Sequence, residues 1–411
     1  MDNLEALQLE DRNGISTPPE SVYGTISQQK IPTNKQSPAA AGYSSIVRAF
    51  KRIEIGFISV MYVLGFAAFH VMLPVYAGST KMAGGDSFIM IVYASLWFPV
   101  VFFIFTNLLQ ALSGNVVTWL PVGKWRAVIA VGVCYAATGL IISFAGLPER
   151  TPPYLQAVLS TLRLPFVIIL RLLILRKGLS LRRFGCTIAV LVGIFITIAP
   201  QIWLLPGSGS ESMNGGSIAH IIWPLIFAFG YLPAATFTVL LERELQQTET
   251  HSLSFITWTQ VFLFVTMTLL FWVDFIPFFG MATSFEDFSQ RLQRGIKCNF
   301  SSAGDCRGLT YKGWIFIMAY CFGNLFQVLL IEKAEGAVFV TVVLAIVTPL
   351  ATIFWTFFKF DQDVDRFYFD PEFTETTAFT FGGLLIIVPS VILYNVFSHW
   401  DAEKKLERKP Y

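Results

Sequence analysis

The residues best placed to do chemistry are two arginines inside an apolar stretch, Tyr154–Lys177, YLQAVLSTLRLPFVIILRLLILRK. On a helix, Gln156, Ser160, Arg163, Val167 and Arg171 share one narrow face, following i, i+4, i+7, i+11 and i+15. Four of those five are polar in an otherwise aliphatic segment. The stretch is long enough to cross the roughly 30 Å hydrocarbon core of a bilayer. A guanidinium at mid-membrane costs about 3 kcal/mol or more, so it faces a polar hollow or a partner. Arg163 is too deep to escape and is assigned to the wall of a solute path. Arg171 lies close to Arg176 and Lys177, and is expected to reach back to the interface.

Charge sharpens that assignment. No Asp or Glu is expected near the middle of any apolar run, since Glu54, Asp274 and Glu332 all fall near ends. A site for cations would hold a carboxylate at depth, whereas the deep charge here is a guanidinium, whose fork matches carboxylates and phosphates. The expected solute therefore bears a carboxylate, as an amino acid, a short peptide or a glutathione-like thiol does. Ser160 and Gln156 would serve it from the same helix, with Thr348 and Thr352 opposite. Tyr135 and Thr138, and Tyr320, Asn324 and Gln327 at four- and three-residue spacing, add hydrogen-bonding groups. The last three serve equally well as polar glue between helices. His70, towards one end of the first span, could titrate in an acidic compartment and couple flux to protons, or simply bond a neighbour at the interface.

The elements that must position these residues are membrane helices. The chain is 54% hydrophobic and 14% charged, with 40 Phe and 10 Trp, more apolar surface than a soluble domain can hide. A net charge of +2 excludes a concentrated nucleic-acid-binding surface. We expect an all-α integral membrane protein with ten transmembrane helices. The spans are approximately 53–76, 88–111, 126–146, 154–175, 184–205, 219–241, 253–277, 313–331, 337–358 and 378–399. Pro74, Pro99, Pro165, Pro224, Pro233, Pro349 and Pro389 lie inside spans, as helix breaks around transport cavities do. A disordered tail, 1–47, precedes a first five-helix repeat, 48–205. A second repeat, 206–400, carries a long loop, 278–312, and a tail, 401–411, ends the chain. Tyr135-AATG-Leu140 resembles Tyr320-CFGN-Leu325 at an offset of 185, and each half has odd topology. The halves therefore read as two inverted repeats, and the same offset sets Arg163 against Thr348.

Orientation follows the basic residues. Arg48/Lys51/Arg52, Lys124/Arg126, Arg176/Lys177/Arg182/Arg183 and the basic C-terminal tail place both termini in the cytosol, and the acidic 361–375 segment on the other side. The 278–312 loop is then lumenal. It holds an N-glycosylation pattern at Asn299-Phe300-Ser301 and two cysteines, Cys298 and Cys306, within disulfide reach of one another. Tyr23-Gly24-Thr25-Ile26 in the N-terminal tail fits a tyrosine-x-x-bulky signal that sorting adaptors bind. The four histidines are scattered without metal spacing, and no glycine-rich phosphate loop is present. Neither an enzyme nor a cofactor is expected.

Several short motifs in a fixed order carry a family resemblance. They are Phe144-Ala-Gly146-Leu147-Pro-Glu-Arg150-Thr151, then Gln156, Leu159, Leu162, Pro165 and Leu173-Ile174-Leu175-Arg176. Ile276-Pro277-Phe278, the spaced cysteines, Asn324-Leu325, and Val347-Thr-Pro349 leading to Phe357-Phe358-Lys359-Phe360 follow. With these the chain resembles the chloroquine-resistance-transporter-like family of the drug/metabolite transporter superfamily. The resemblance implies ten helices in two inverted five-helix repeats. It also implies proton-driven export of small solutes from an acidic vacuole-like, lysosomal or plastid lumen to the cytosol. Family loops are often richer in cysteine, whereas this one holds only Cys298 and Cys306, which leaves one bridge. The first span differs from that of drug-exporting members, so export of cationic drugs is an alternative, as is exchange of nucleotide sugars or phosphorylated metabolites.

Overall fold

A computed structural model describes residues 38–113, 125–147, 150–151, 159–160, 162–202, 219–247, 251–277, 279–301, 306, 308–334, 336–361, 366–371 and 375–407. The chain divides into two units, Met1–Ile53, whose described part is helical, and Glu54–Tyr411, which holds everything discussed below. Twelve described α-helices follow in order: α1 (Pro38–Met82), α2 (Ser87–Ser113), α3 (Trp125–Ala145), α4 (Arg163–Leu170), α5 (Leu181–Ile202), α6 (Ala219–Gln247), α7 (Ser252–Leu269), α8 (Phe285–Phe300), α9 (Leu309–Lys333), α10 (Ala337–Leu344), α11 (Val347–Phe357) and α12 (Glu375–Glu407). A π-helical turn, Arg171–Leu175, continues α4, and a 3-10 turn, Phe271–Phe275, closes α7.

Among the described residues, eight helical segments are long and apolar enough to cross a membrane, so this is a multi-pass membrane protein. The two other expected spans, 154–175 and 184–205, are described in part, as α4 with its π turn and as α5. The expected ninth span is broken, with α10 ending at Leu344 and α11 starting at Val347, two residues before Pro349. Helix α3 packs against α6 and α7, α2 against α7 and α9, α4 against α6 and α10, and α5 against α12. Where α1 meets α9 the backbones almost touch, since a Cβ on Gly65 would lie 2.7 Å from the Cα of Gly323. Small residues permit such crossings, and close packing replaces the missing hydrophobic drive in lipid.

Two connections are more ordered than the sequence led us to expect. The 278–312 loop holds α8, whose start is capped by Ser284 Oγ accepting from Asp287 N at 3.1 Å, with Glu286 and Asp287 in its first turn. Cys298 and Cys306 are joined by a disulfide. The acidic 361–375 segment contributes to a two-stranded antiparallel hairpin, β1 (Phe358–Asp361) with β2 (Arg366–Phe369), a small departure from an all-α fold.

Asn299 corrects a second expectation. Its side chain is fully buried, donating from Nδ2 to Gly295 O at 2.8 Å and accepting from Tyr76 Oη at 2.7 Å. The amide ties α8 to α1, and this fold leaves no room for a glycan on it.

Candidate functional site

Arg163 is the first residue of α4, and Pro165 occupies the first turn, where its missing N–H removes no intrahelical bond. The side chain is half-buried. Its Nη2 donates to Thr238 Oγ1 of α6 at 3.0 Å, and Thr238 Oγ1 in turn donates to Ala234 O at 2.8 Å. The guanidinium carbon sits 5.4 Å from the centre of the Phe237 ring, within cation–π range. Nε is buried with no hydrogen-bond partner. Among the described residues, no carboxylate lies at ion-pair distance from Arg163.

From Phe237 the contacts continue across three helices. The ring stacks on Tyr135 of α3, centroids 3.8 Å apart and planes 16° from parallel. Tyr135 Oη donates to Asn324 Oδ1 of α9 at 2.9 Å, and Asn324 Nδ2 donates to Tyr320 O at 2.9 Å. Tyr320 itself stacks on Phe98 of α2 at 3.9 Å. Asn324 is thus interhelical glue that orients Tyr135 and is only 1% exposed.

Other polar groups nearby are left unanswered. The Thr138 hydroxyl, the Tyr62 hydroxyl and both amide atoms of Gln327 have no partner. Gln260 of α7 lies beside Tyr320 yet makes no hydrogen bond of good geometry. Buried polar groups are normally paired, so a group of orphans points to water or a solute between them. Tyr62, His70, Tyr135 and Tyr231 all lie within electrostatic range of Arg163. His70 is exposed, and Tyr231 and Tyr320 are half-buried.

The expected site residues divide accordingly. Arg163, Tyr135, Tyr320 and Asn324 are brought together across α4, α3 and α9, with Thr138 and Gln327 one turn from Tyr135 and Asn324 on the same helices. His70 lies within electrostatic range of Arg163, and its Nδ1 is 2.8 Å from Phe66 O. Ser160 is half-buried just upstream of α4, and Thr348 is half-buried at the start of α11. Gln156, Tyr23, Ile26 and the side chain of Thr352 lie outside the described residues. The hydroxyl that receives Arg163 is Thr238, which sequence reasoning missed together with Phe237, Tyr62, Tyr231 and Gln260. Gln260 was the one with a legible signal, a lone amide in the apolar run of α7.

Arg171 does not reach back to the interface. It is 6% exposed, and its Nε lies 3.0 and 3.1 Å from the two carboxylate oxygens of Glu242, with Nη2 at 3.0 Å from Oε1. Glu242 is 0% exposed and also accepts from Ala337 N, the first residue of α10, at 2.8 Å. Gly336, at φ +91°, leaves the space that the carboxylate fills, since a Cβ there would lie 2.3 Å from Glu242 Cδ. Helix α6 runs on to Gln247, past the expected end of its span at 241, so a deep carboxylate exists after all. A cavity of about 370 Å³, lined in part by Arg171, Leu172, Lys177, Phe184 and Val338, adjoins this pair.

Among the similar solved structures, one protein is 12% identical, covering 83% of this chain and 98% of its own, with a TM-score of 0.49, a likeness too slight to argue from. No curated protein matches. A family model described as CRT-like, chloroquine-resistance transporter-like, matches residues 86–394, about three quarters of the chain. With transmembrane helices already established, the chain belongs to the chloroquine-resistance-transporter-like family of membrane transporters.

Proposed function

We propose that this protein is an alternating-access carrier that moves small carboxylate-bearing solutes, such as amino acids, short peptides or glutathione-like thiols, between an acidic organelle lumen and the cytosol. The observation that carries this reading is Arg163, half-buried, with its Nε unpartnered, without a described carboxylate partner, and within electrostatic range of the orphaned Tyr62 hydroxyl. In the carrier, Arg163 binds the carboxylate, Thr238 and Phe237 fix the guanidinium, and Tyr135, held by Asn324, flanks the solute. Thr138, Gln260 and Gln327 supply the remaining hydrogen bonds, while Ser160, Gln156, Thr348 and Thr352 extend the path. The substrate is a small molecule, and the driving force is a proton gradient, sensed in part at His70.

Ten spans in two inverted five-helix repeats fit the packing. Exchanging the halves turns the α3–α6 contact into the α9–α1 crossing and the α3–α7 contact into α9–α2, and leaves α4–α10 and α5–α12 as pairs of equivalents. The disulfide in the 278–312 segment suits an oxidising lumen, which supports cytosolic termini and a vacuolar or lysosomal membrane. Adaptor recognition at Tyr23 and Ile26 would deliver it there.

The test is uptake into proteoliposomes by the wild type and Arg163→Ala. Loss of a charge-assisted hydrogen-bonding partner is worth about 1.5–3 kcal/mol, so uptake efficiency is expected to fall roughly 10- to 100-fold while the protein remains folded. Unchanged uptake removes Arg163 from the site. Strong competition by free nucleotides, which also suit a guanidinium, would favour the phosphorylated-metabolite reading.

A further inference from the structure

At one end of the helical body, two connections each bury a carboxylate. Asp86, in the α1–α2 turn, is 4% exposed, and Asp274, in the 3-10 turn after α7, is 0% exposed. Each uses one oxygen conventionally, with Asp86 Oδ1 accepting from Ile89 N at 2.9 Å and Asp274 Oδ1 accepting from Met281 N at 3.0 Å. The second oxygen, Oδ2, of each has no hydrogen-bond partner. An ionised carboxylate held this way is expensive, and a neutral one is far less so.

The surrounding cations relieve it only in part. Arg291 of α8 acts on both carboxylates, but its Nε is held by Asp287 Oδ1 at 2.8 Å. Arg150 acts on Asp274 while donating to Phe144 O at 3.0 Å and Phe279 O at 2.7 Å, with its guanidinium 4.0 Å above Trp223. Arg294 lies over the turn at Gly84, and Asp287 adds negative charge beside Asp274. Burial, reinforced by the charge of Asp274, pushes the Asp86 carboxyl up to about 6 against the pull of the Ile89 N–H, Arg291 and the Phe88 N–H.

We propose that Asp86, backed by Asp274, is a proton-binding site that couples the state of this end of the carrier to the pH it faces. The inference rests on the proton-driven reading above, in which this end, with α8 and its disulfide, is lumenal. One proton from the lumen adds to the free Asp86 oxygen and removes a buried charge, which favours the packed arrangement of the α1–α2 turn against α8. Return to neutral surroundings releases that proton to solvent, restores the charge and loosens the packing. Lumenal acid therefore closes the lumenal end and biases the loaded carrier towards the cytosol.

The test uses the full-length purified protein without any solute. Infrared difference spectra should show a protonated-carboxyl band titrating with a midpoint at about pH 6, lost in Asp86→Asn and retained, displaced, in Asp86→Glu. Hydrogen exchange in α8 and the α1–α2 turn, corrected for its intrinsic pH dependence, should quicken by up to about tenfold per pH unit between about pH 4 and 6 and level off above, in the wild type and not in Asp86→Asn. An unchanged band and unchanged exchange in both Asp86→Asn and Asp274→Asn would overturn the site. Glutathione flux driven by an imposed pH gradient serves as a separate arm. If the wild type shows none, the solute and coupling reading fails, while the spectra still decide on Asp86.

Discussion

Arg163 and Arg171 stand two helical turns apart in one segment, and their surroundings could hardly differ more. Arg163 keeps some contact with solvent, rests on a hydroxyl and an aromatic ring, and leaves its Nε unanswered. Arg171 is buried, chelated by Glu242, and fastened through that carboxylate to the start of α10. A fully satisfied ion pair holds helices together, and an unsatisfied cation beside orphaned polar groups waits for something that is not protein. On the proposed reading the same residue type serves as fastener in one place and as receptor in the other, and the partner decides which.

The largest expected effect breaks the fastener. Removing one member of a buried pair strands the other and costs about 3–5 kcal/mol, so Glu242→Ala should sharply lower the thermal midpoint in detergent. The pair Arg171→Met with Glu242→Gln should recover much of that loss, because no bare charge remains. Arg163→Met, in contrast, should leave the midpoint nearly unchanged or raise it. An equal fall for Arg163→Met would dissolve the distinction between the two arginines.

A smaller effect sharpens the receptor side. Tyr135→Phe removes the hydrogen bond to Asn324 but keeps the stack on Phe237, and leaves a buried amide oxygen unmatched. A cost of about 1–2 kcal/mol is expected, read as weaker solute binding together with a modest drop in stability. Tyr135→Leu, which also loses the ring that supports Phe237, should impair uptake more. If the two variants transport alike, the stack does not position Phe237 beneath Arg163.

Much of this was legible in local pattern, and the rest was not for identifiable reasons. Apolar runs of membrane-spanning length reported the spans, because lipid forces each helix to satisfy its own backbone. The polar stripe on the fourth span drew attention to Arg163, and the Tyr320/Asn324 spacing to the face that meets Tyr135. Glu242 escaped because the apolar run of α6 stops at Leu241, although the helix continues and α10 covers the next residue. The 71-residue separation between Arg171 and Glu242 leaves no local trace of their pairing. Thr238 bonds its own backbone as any membrane threonine does, and only the approach of α4 makes it a ligand for Arg163. A three-residue glycosylation pattern, likewise, says nothing of the tyrosine that buries Asn299. The start of α8, in contrast, carries a local signal, the Ser284 cap followed by Glu286 and Asp287 in the first turn.

The most direct measurement compares a carboxylate with its neutral amide. Glutathione and its carboxamide analogues should be tested as competitors of uptake, in the wild type and in Arg163→Gln. The wild type is expected to favour the carboxylate by roughly 10- to 100-fold, from the charge-assisted bonds to the guanidinium, and Arg163→Gln to accept both alike. Equal preference in the wild type, or a carboxylate preference that survives in Arg163→Gln, would contradict the assignment of Arg163 as the group that receives the solute.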